Sequence, residues 1–288
     1  MIPIHDDNPT RRRAWVTLVL IALNIGVYFL IQPHGGRPVV GLPEAQSSVP
    51  IPDQDLHFTL AYAAIPCEVV HDRPLTVAEA VATFGRQADR TACGVSPSPV
   101  DPNDTATFRR ALFPAKNAEL SILLSMFLHG GLLHIGGNML FLWVFGNNIE
   151  DRFGRFRYLL FYLAGGFFAA LAHILVQPRS TVPIIGASGA IAAVMGAYLV
   201  LYPKVRVTTV FTFVLIFVKK IPAAWLLIGW LISQFFLSPG EGVAWMAHVG
   251  GFVFGALLAL VVRAVSGPTT PPGPRFVIGP AGRAADRF

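Results

Sequence analysis

The chain has 288 residues, of which 53% are hydrophobic and only 13% are charged, and its mean hydropathy of +0.57 does not fit a soluble protein. The net charge is +6, but the basic residues stand in short clusters at the ends of apolar runs, such as Arg11-Arg12-Arg13 and Lys219-Lys220. This arrangement is typical of the cytoplasmic loops of membrane proteins and disfavours a nucleic-acid partner. We therefore expect an integral membrane protein in contact with a lipid bilayer.

A helix that spans a bilayer needs about 20 mostly apolar residues. Six segments come close to this length and predict an all-α bundle of six transmembrane helices, at residues 14–31, 132–148, 156–176, 187–202, 222–237 and 245–262. The first segment follows three arginines and lacks a cleavage site, so we interpret it as an uncleaved anchor with its N-terminus inside. Residues 1–13 are thus predicted to be cytoplasmic and residues 14–265 to form the membrane domain.

A long segment between the first two apolar runs, residues 32–119, is rich in Pro, Gly, Asp and Arg and is predicted to be an outer loop. Within it, Thr76 and Glu79 fit a capping box, which predicts a short amphipathic helix. The two cysteines of the chain, Cys67 and Cys93, lie in this loop. A disulfide and two free thiols are both compatible with the sequence.

The segment at residues 207–218 is apolar but too short to cross a bilayer, and basic residues stand on both sides of it. We interpret it as an interfacial or re-entrant excursion that returns to the cytoplasm. The tail, residues 266–288, has too few large apolar residues to pack and is predicted to be a disordered cytoplasmic segment.

Polar residues inside a bilayer are energetically costly, so each one in the apolar segments is a candidate for function. His134, Ser188 and His248 lie near the start of the second, fourth and sixth segments, which all enter from the outside in this topology. Asn138 follows His134 by four residues and shares its helix face. The four side chains are therefore predicted to converge in one layer below the outer surface.

These residue types suit serine catalysis. A serine hydroxyl needs a base to become a nucleophile, and His248 could take the proton of Ser188. A third, orienting carboxylate is missing at this depth, which favours a Ser/His dyad over a triad. His134 and Asn138, together with the backbone N–H of Ser188, could stabilise an oxyanion.

Small residues give these helices a reason to approach each other. Gly251-x-x-x-Gly255 forms a small-residue face on the sixth segment, and Ser188, Ala192 and Gly196 form a matching face on the fourth. Such faces allow close packing of membrane helices. This packing would bring Ser188 and His248 within hydrogen-bond distance.

Other polar residues have simpler interpretations. We expect His173 to be a packed, hydrogen-bonded residue and Asn24 and Gln234 to make inter-helix hydrogen bonds. His129 and His134 lack a third metal ligand and the HExxH pattern, which disfavours zinc. No cofactor or metal is expected.

Three blocks resemble the signatures of the rhomboid intramembrane serine proteases: "MFLHGGLLHIGGNMLFLWVFGNNIEDRFG", "GASGAIAAVMGAY" and "AHVGGFVFG". The resemblance implies Ser188 as nucleophile, His248 as general base, and His134 and Asn138 as oxyanion donors. Three features depart from the family pattern, and one is the short apolar stretch at residues 207–218, which is more extended than in the minimal members. The outer loop is longer than in compact members, and Ala192 stands where many members have an aromatic residue that packs against the catalytic histidine.

The resemblance also implies a serine-type endopeptidase that cleaves membrane-anchored proteins within or near a transmembrane helix. The alternative is a catalytically inactive rhomboid-like protein that binds membrane proteins without cleaving them. A transporter or channel would carry ionisable residues deeper in its helices, and this chain has little there besides His173. We expect a multi-pass protein of the bacterial plasma membrane, whose oligomeric state the sequence leaves open.

Overall fold

A computed structural model describes residues 1–34, 54–84, 89–95, 108–212, 216–236 and 244–266. The helices in this part are α1 (Trp15–Gly26), α2 (Gln54–Tyr62), α3 (Pro66–His71), α4 (Val77–Phe84), α5 (Ala118–Ser125), α6 (Leu132–Phe153), α7 (Arg155–Val176), α8 (Ser188–Leu201), α9 (Ala223–Gln234) and α10 (Trp245–Ser266), and α1 continues into a π-helical turn at Val27–Ile31. The strands are β1 (Ile2–Asp6), β2 (Arg206–Thr212) and β3 (Ile216–Pro222). The predicted tail after residue 266 lies outside the described residues.

All six apolar segments are helical, as α1 and α6 to α10. Among the described residues, two helical stretches are both long and apolar enough to cross a membrane, Arg155–Val176 and Trp245–Val265. The helical stretches Trp15–Ile31, Ser188–Leu201 and Ala223–Gln234 are apolar but shorter. The six helices are therefore present where the sequence predicts them, and six membrane crossings stay a prediction.

Helix α8 is the centre of the bundle. Eleven of its fourteen residues are buried, and it contacts α6, α7, α9 and α10. Aromatic side chains fill the space around it, with Phe145 and Tyr198 packed edge to face at a centroid distance of 4.9 Å. A helix that is apolar on every side is stable in a protein when other helices surround it. The central position of α8 therefore explains why it has almost no polar residues.

Glycines bring the backbones of α8 and α10 into direct contact. A Cβ atom on Gly251 or Gly255 would overlap the backbone carbonyl of Gly189 or Ala193, respectively. A Cβ on Gly196 would likewise overlap the carbonyl of Phe252. The predicted small-residue packing is thus present, but the face of α8 consists of Gly189, Ala193 and Gly196 instead of Ser188, Ala192 and Gly196.

The expectation of an all-α fold is wrong in one respect, because a three-stranded antiparallel sheet of order β1-β2-β3 lies at one end of the bundle. Strands β2 and β3 form a hairpin from the segment predicted to be an excursion. Arg206 pairs with Pro222, so this segment does return to the side from which it starts. Val207 and Thr209 are buried while Thr208 between them is half-buried, which is the two-residue period of a strand.

The sheet includes residues from the first thirteen, which we expected only to precede the membrane domain. Strand β1 pairs with β2, and its Asp6 is buried against the helices. The Asp6 carboxylate accepts hydrogen bonds from Asn148 Nδ2 at 2.8 Å and from the Tyr198 hydroxyl at 2.5 Å. Burial raises the pKa of Asp6 to about 6. This one side chain joins β1 to both α6 and α8.

The described parts of the loop between α1 and α6 fold into a small compact unit. We call residues 54–84, 89–95 and 108–116 the disulfide lobe. Its α4 begins with the predicted capping box, in which Thr76 Oγ1 accepts from Glu79 N at 3.2 Å and Glu79 Oε2 accepts from Thr76 N at 2.8 Å. Cys67 and Cys93 form a disulfide, which decides between the two alternatives left by the sequence. The bridge lies in an apolar cluster with Leu60, Ile65 and Leu75.

A buried ion pair lies inside this lobe and holds its last residue, just before α5, against α3. Lys116 Nζ lies 2.5 Å from Glu68 Oε2, and the two side chains are 3% and 2% exposed. Lys116 also donates to the Leu60 carbonyl at 2.7 Å, and Glu68 Oε1 accepts from Leu75 N at 2.8 Å. Burial lowers the pKa of Lys116 and raises the pKa of Glu68. Each charge is therefore tolerated only because the other is present.

Substitution of Lys116→Met should destabilise the disulfide lobe by about 3–5 kcal/mol, because it leaves a buried carboxylate without its counter-charge. The measurement is hydrogen exchange of the backbone amides of α3 and α4 in detergent-solubilised protein. The double variant Lys116→Met, Glu68→Leu removes both charges and should recover most of the lost protection. Unchanged exchange in Lys116→Met would show that the pair contributes little.

Candidate active site

The loop before Ser188 is held by hydrogen bonds to the disulfide lobe and to α5. Ile184 N donates to the Ala64 carbonyl at 2.8 Å, and Thr181 N donates to the Arg90 carbonyl at 2.9 Å. Gly186 N donates to the carbonyl of Ser125 at 2.9 Å. The backbone that leads into α8 is thus fixed from outside the helix bundle.

The backbone conformation at position 186 and the close neighbours there require a glycine. Its φ of +116° lies where side chains are strained, and a Cβ there would stand 2.8 Å from His134 Nε2 and 3.5 Å from Asn138 Nδ2. Glycine therefore allows the chain to turn and to pass close to both side chains of α6. The loop brings the start of α8 next to His134 and Asn138.

Ser188 and His248 are hydrogen-bonded. Ser188 is the first residue of α8 and His248 the fourth residue of α10, and Ser188 Oγ lies 2.8 Å from His248 Nε2. Both side chains line a cavity of about 520 Å³, together with His134 and Asn138. The structure therefore brings the four residues singled out from the sequence to one cavity.

Gln234, at the end of α9, binds the other side of the imidazole. Its Oε1 lies 2.6 Å from His248 Nδ1. Its Nε2 donates to the Trp230 carbonyl at 3.0 Å and to Ser233 Oγ at 3.1 Å, so the amide oxygen must face His248. Nδ1 then carries the proton and Nε2 is free to accept from Ser188.

This third partner was missed in the sequence. The sequence predicts only an inter-helix hydrogen bond for Gln234, because the group that orients a catalytic histidine is most often a carboxylate. The signal that could have found it is depth, since in the predicted topology Gln234 lies near the outer end of its segment, as Ser188 and His248 do. An amide oxygen can hold the imidazole as a carboxylate would, without adding a charge.

A tryptophan of α9 also packs near His248. The Trp230 and His248 rings have a centroid distance of 5.7 Å and an interplanar angle of 43°. The position four residues after the serine, Ala192, is fully buried and leaves no aromatic ring there. Helix α9 thus provides both a ring and a hydrogen bond for the histidine.

His134 and Asn138 present nitrogen atoms to the cavity. The Gly130 N–H donates to His134 Nδ1 at 3.3 Å, which leaves the proton on Nε2, the nitrogen nearest Gly186. Asn138 is buried, and its Nδ2 has no hydrogen-bond acceptor among the described residues. A buried amide donor without an acceptor is costly, and a substrate oxygen would satisfy it.

The other polar residues singled out from the sequence differ in their hydrogen-bond partners. Asn24 Nδ2 donates to the Leu20 carbonyl of its own helix at 2.7 Å, because a short amide side chain reaches the preceding turn, and the same side chain also interacts with the Tyr162 hydroxyl of α7. His173 is buried as expected, yet its Nδ1 has no partner within the described ranges. The His129 and His134 rings are packed edge to face with a centroid distance of 5.1 Å.

Several curated proteins are similar to part of this chain. Rhomboid protein 1, mitochondrial, of Saccharomyces cerevisiae is 31% identical over 150 residues, which are 49% of this chain and 41% of the relative. RHOMBOID-like protein 6, mitochondrial, of Arabidopsis thaliana is 29% identical over 153 residues, covering 51% and 44%. Rhomboid protease GluP of Bacillus subtilis is 40% identical over 78 residues, covering 27% and 15%. The chain therefore spans less than half the length of these relatives.

These names bear on the expected location. Two of the three relatives are mitochondrial by name, so the expectation of a bacterial plasma membrane has no support over a mitochondrial one. The similarity supports a membrane protein and leaves the organelle open.

The family assignment rests on a match that covers five of the six helices of the bundle. The profile of the Rhomboid domain matches residues 117–265, more than half of the chain, from the start of α5 to the end of α10. The match includes Ser188, His248 and Gln234, and also His134 and Asn138 of α6. The chain belongs to the rhomboid family.

Proposed function

We propose that this protein is an intramembrane serine endopeptidase that cleaves membrane-anchored proteins within or near a transmembrane helix. The observation that carries the proposal is the 2.8 Å hydrogen bond between Ser188 Oγ and His248 Nε2 in a cavity that a peptide segment could enter. Serine and imidazole in this geometry are a nucleophile and its base. Membership of the rhomboid family supports the same reaction class.

The reaction follows from the placement of donors and acceptors. His248 Nε2 takes the hydroxyl proton while Ser188 Oγ bonds to the carbonyl carbon and the carbonyl electron pair moves to the oxygen. The imidazolium then gives the proton to the leaving amine as the C–N bond breaks. Water then attacks the acyl carbon and gives a proton to His248 Nε2. The bond from that carbon to Ser188 Oγ breaks, His248 returns the proton to Oγ, and the carboxylic acid leaves.

Three donors support stabilisation of the oxyanion. His134 Nε2 and Asn138 Nδ2 come from one face of α6, and the backbone N–H of Ser188 lies at the N-terminus of α8, where the helix dipole favours negative charge. The unpartnered Nδ2 of Asn138 argues for a donor that waits for a substrate oxygen. Gln234 acts as a positioning residue that holds His248 in the productive tautomer.

The proposed setting is a bundle of six membrane-spanning helices with a cytoplasmic N-terminus and a cytoplasmic tail after residue 266. The disulfide lobe then lies on the outer side, where the cavity opens to water. Disulfides persist in oxidising compartments, and the Cys67–Cys93 bridge supports this orientation. A bacterial plasma membrane and a mitochondrial membrane both have such a side.

Labelling by a serine-directed fluorophosphonate tests the nucleophile without a known substrate. The detergent-solubilised wild type should be labelled, and Ser188→Ala and His248→Ala should not, because the probe needs an activated hydroxyl. Ser121→Ala, which removes another buried serine, is the matched control and should label like the wild type. Absence of wild-type labelling by both the fluorophosphonate and a small isocoumarin would favour the alternative, a rhomboid-like protein that binds membrane proteins without cleaving them.

The oxyanion donors can be tested through the rate of the same labelling reaction. Asn138→Ala should lower the rate constant about 10²- to 10³-fold, because one preorganised donor to the developing charge is lost. Asn24→Ala removes a buried asparagine that bonds within its own helix and serves as the matched control. Equal rates for Asn138→Ala and the wild type would exclude Asn138 from the oxyanion site.

Gln234 can be separated from a merely structural role by two substitutions. Gln234→Met removes the acceptor and should slow labelling about 10- to 100-fold, since a hydrogen bond to a group that becomes charged is worth about 1.5–3 kcal/mol. Gln234→Glu keeps an acceptor oxygen, so it should retain much of the rate. Its carboxylate stabilises the imidazolium, which should move the acid limb of the pH–rate profile to higher pH. An unshifted profile in Gln234→Glu would argue against direct contact with His248.

A further inference from the structure

A second cavity of about 520 Å³ lies where α1 begins beside the second half of α6. Arg11, Arg12 and Arg13 line it together with Trp15 of α1 and Trp143 of α6. Ser188 and His248 do not contribute to it. Nothing in the proposed reaction uses this cavity.

Two carboxylates of α6 beside this segment already accept hydrogen bonds, mostly from backbone groups. Asp151 accepts from the backbone N–H groups of Arg11 at 3.0 Å and Arg12 at 3.1 Å. Glu150 accepts from Val16 N at 3.0 Å and from Thr17 N and Thr17 Oγ1 at 2.8 Å each. These acidic side chains satisfy the unpaired N–H groups at the start of α1, so they anchor the main chain of the arginine segment.

The guanidinium groups themselves remain available. All three arginine side chains are exposed, and the ion pairs of the described residues do not include any of them. Three adjacent positive charges are therefore held in place by their backbone while their side chains have no carboxylate partner. A guanidinium binds phosphate through two parallel hydrogen bonds, and one phosphate group can bridge neighbouring arginines.

The aromatic residues of the cavity indicate which kind of phosphate compound would fit there. Trp15 and Trp143 are 48% and 55% exposed, and Leu18, one turn into α1, is 37% exposed. Tryptophan is enriched at the level of lipid headgroups, where its ring is apolar and its N–H is polar. Guanidinium groups at one end of the cavity and indole and aliphatic carbon at the other match a phospholipid better than a free anion.

We propose that this cavity, formed by Arg11, Arg12, Arg13, Trp15 and Trp143, binds the phosphate headgroup of an anionic phospholipid from the leaflet next to the N-terminus of α1. The inference rests on the membrane setting of the proposed function but not on proteolysis. Because Trp15 belongs to α1 and Trp143 to α6, a bound lipid would contact both helices at their junction.

Native mass spectrometry of the full-length protein in detergent tests the site with two probes, dioleoylphosphatidylglycerol and dioleoylphosphatidylcholine. The wild type should bind the anionic lipid more tightly. The triple substitution of Arg11, Arg12 and Arg13 to Gln should weaken that binding on the order of 100-fold, since each basic side chain near a membrane surface contributes about a factor of five. Substitution of the three arginines to Lys keeps the charge but loses the bidentate geometry, so it should weaken binding less.

The matched control removes the same amount of charge elsewhere. The triple substitution of Arg157, Lys204 and Lys219 to Gln changes three exposed basic residues outside the cavity and should keep the preference for the anionic lipid. Equal losses in both triple variants would mean diffuse surface charge and would overturn the site. Full displacement of the lipid by millimolar inorganic phosphate would overturn the lipid as ligand. Because the assay records binding alone, an inactive protease would leave its outcome unchanged.

Discussion

Direct contact between the backbones of α8 and α10 positions the hydrogen bond between Ser188 and His248. Gly251 and Gly255 leave no space for a Cβ against the carbonyls of Gly189 and Ala193, so any larger residue would push the helices apart. Each helix carries one partner of the pair within its first turn. A hydrogen bond of 2.8 Å tolerates little displacement, and the glycines therefore matter for the geometry as well as for packing.

The disulfide lobe and helix α9 position the groups around Ser188 and His248. The disulfide lobe binds the loop before α8 through Ala64 and Arg90, which fixes the backbone at Gly186 beside the donors of α6. Helix α9 supplies Gln234, whose amide orients the imidazole without introducing a charge. A neutral acceptor suits a site bordered by apolar helices, because a carboxylate there would have to lose its hydration. The geometry of the candidate site thus depends on four helices and on a lobe that is remote in sequence.

Local features of the sequence were sufficient for much of the fold and most of the candidate site. The six apolar segments became helices within a few residues of their predicted bounds, and the capping box at Thr76 and Glu79 was present. Ser188, His248, His134 and Asn138 were found because polar residues at one depth of apolar helices are rare. The role of Gln234 was overlooked because an inter-helix hydrogen bond was a sufficient explanation for a polar residue in a helix. Only the structure shows that its amide oxygen faces His248.

The sequence by itself determined the membrane character, the helix positions and the polar residues at a shared depth, because hydropathy and helical period are properties of neighbouring residues. Only the tertiary structure decided the strand pairing of β1 with β2, the bond from Tyr198 to Asp6 across 192 positions, and the Cys67–Cys93 bridge. Each of these joins groups that no local pattern connects. Their formation depends on which surfaces the packed bundle and lobe bring together. The short apolar segment β2 forms a strand because β1 and β3 complete its hydrogen bonds.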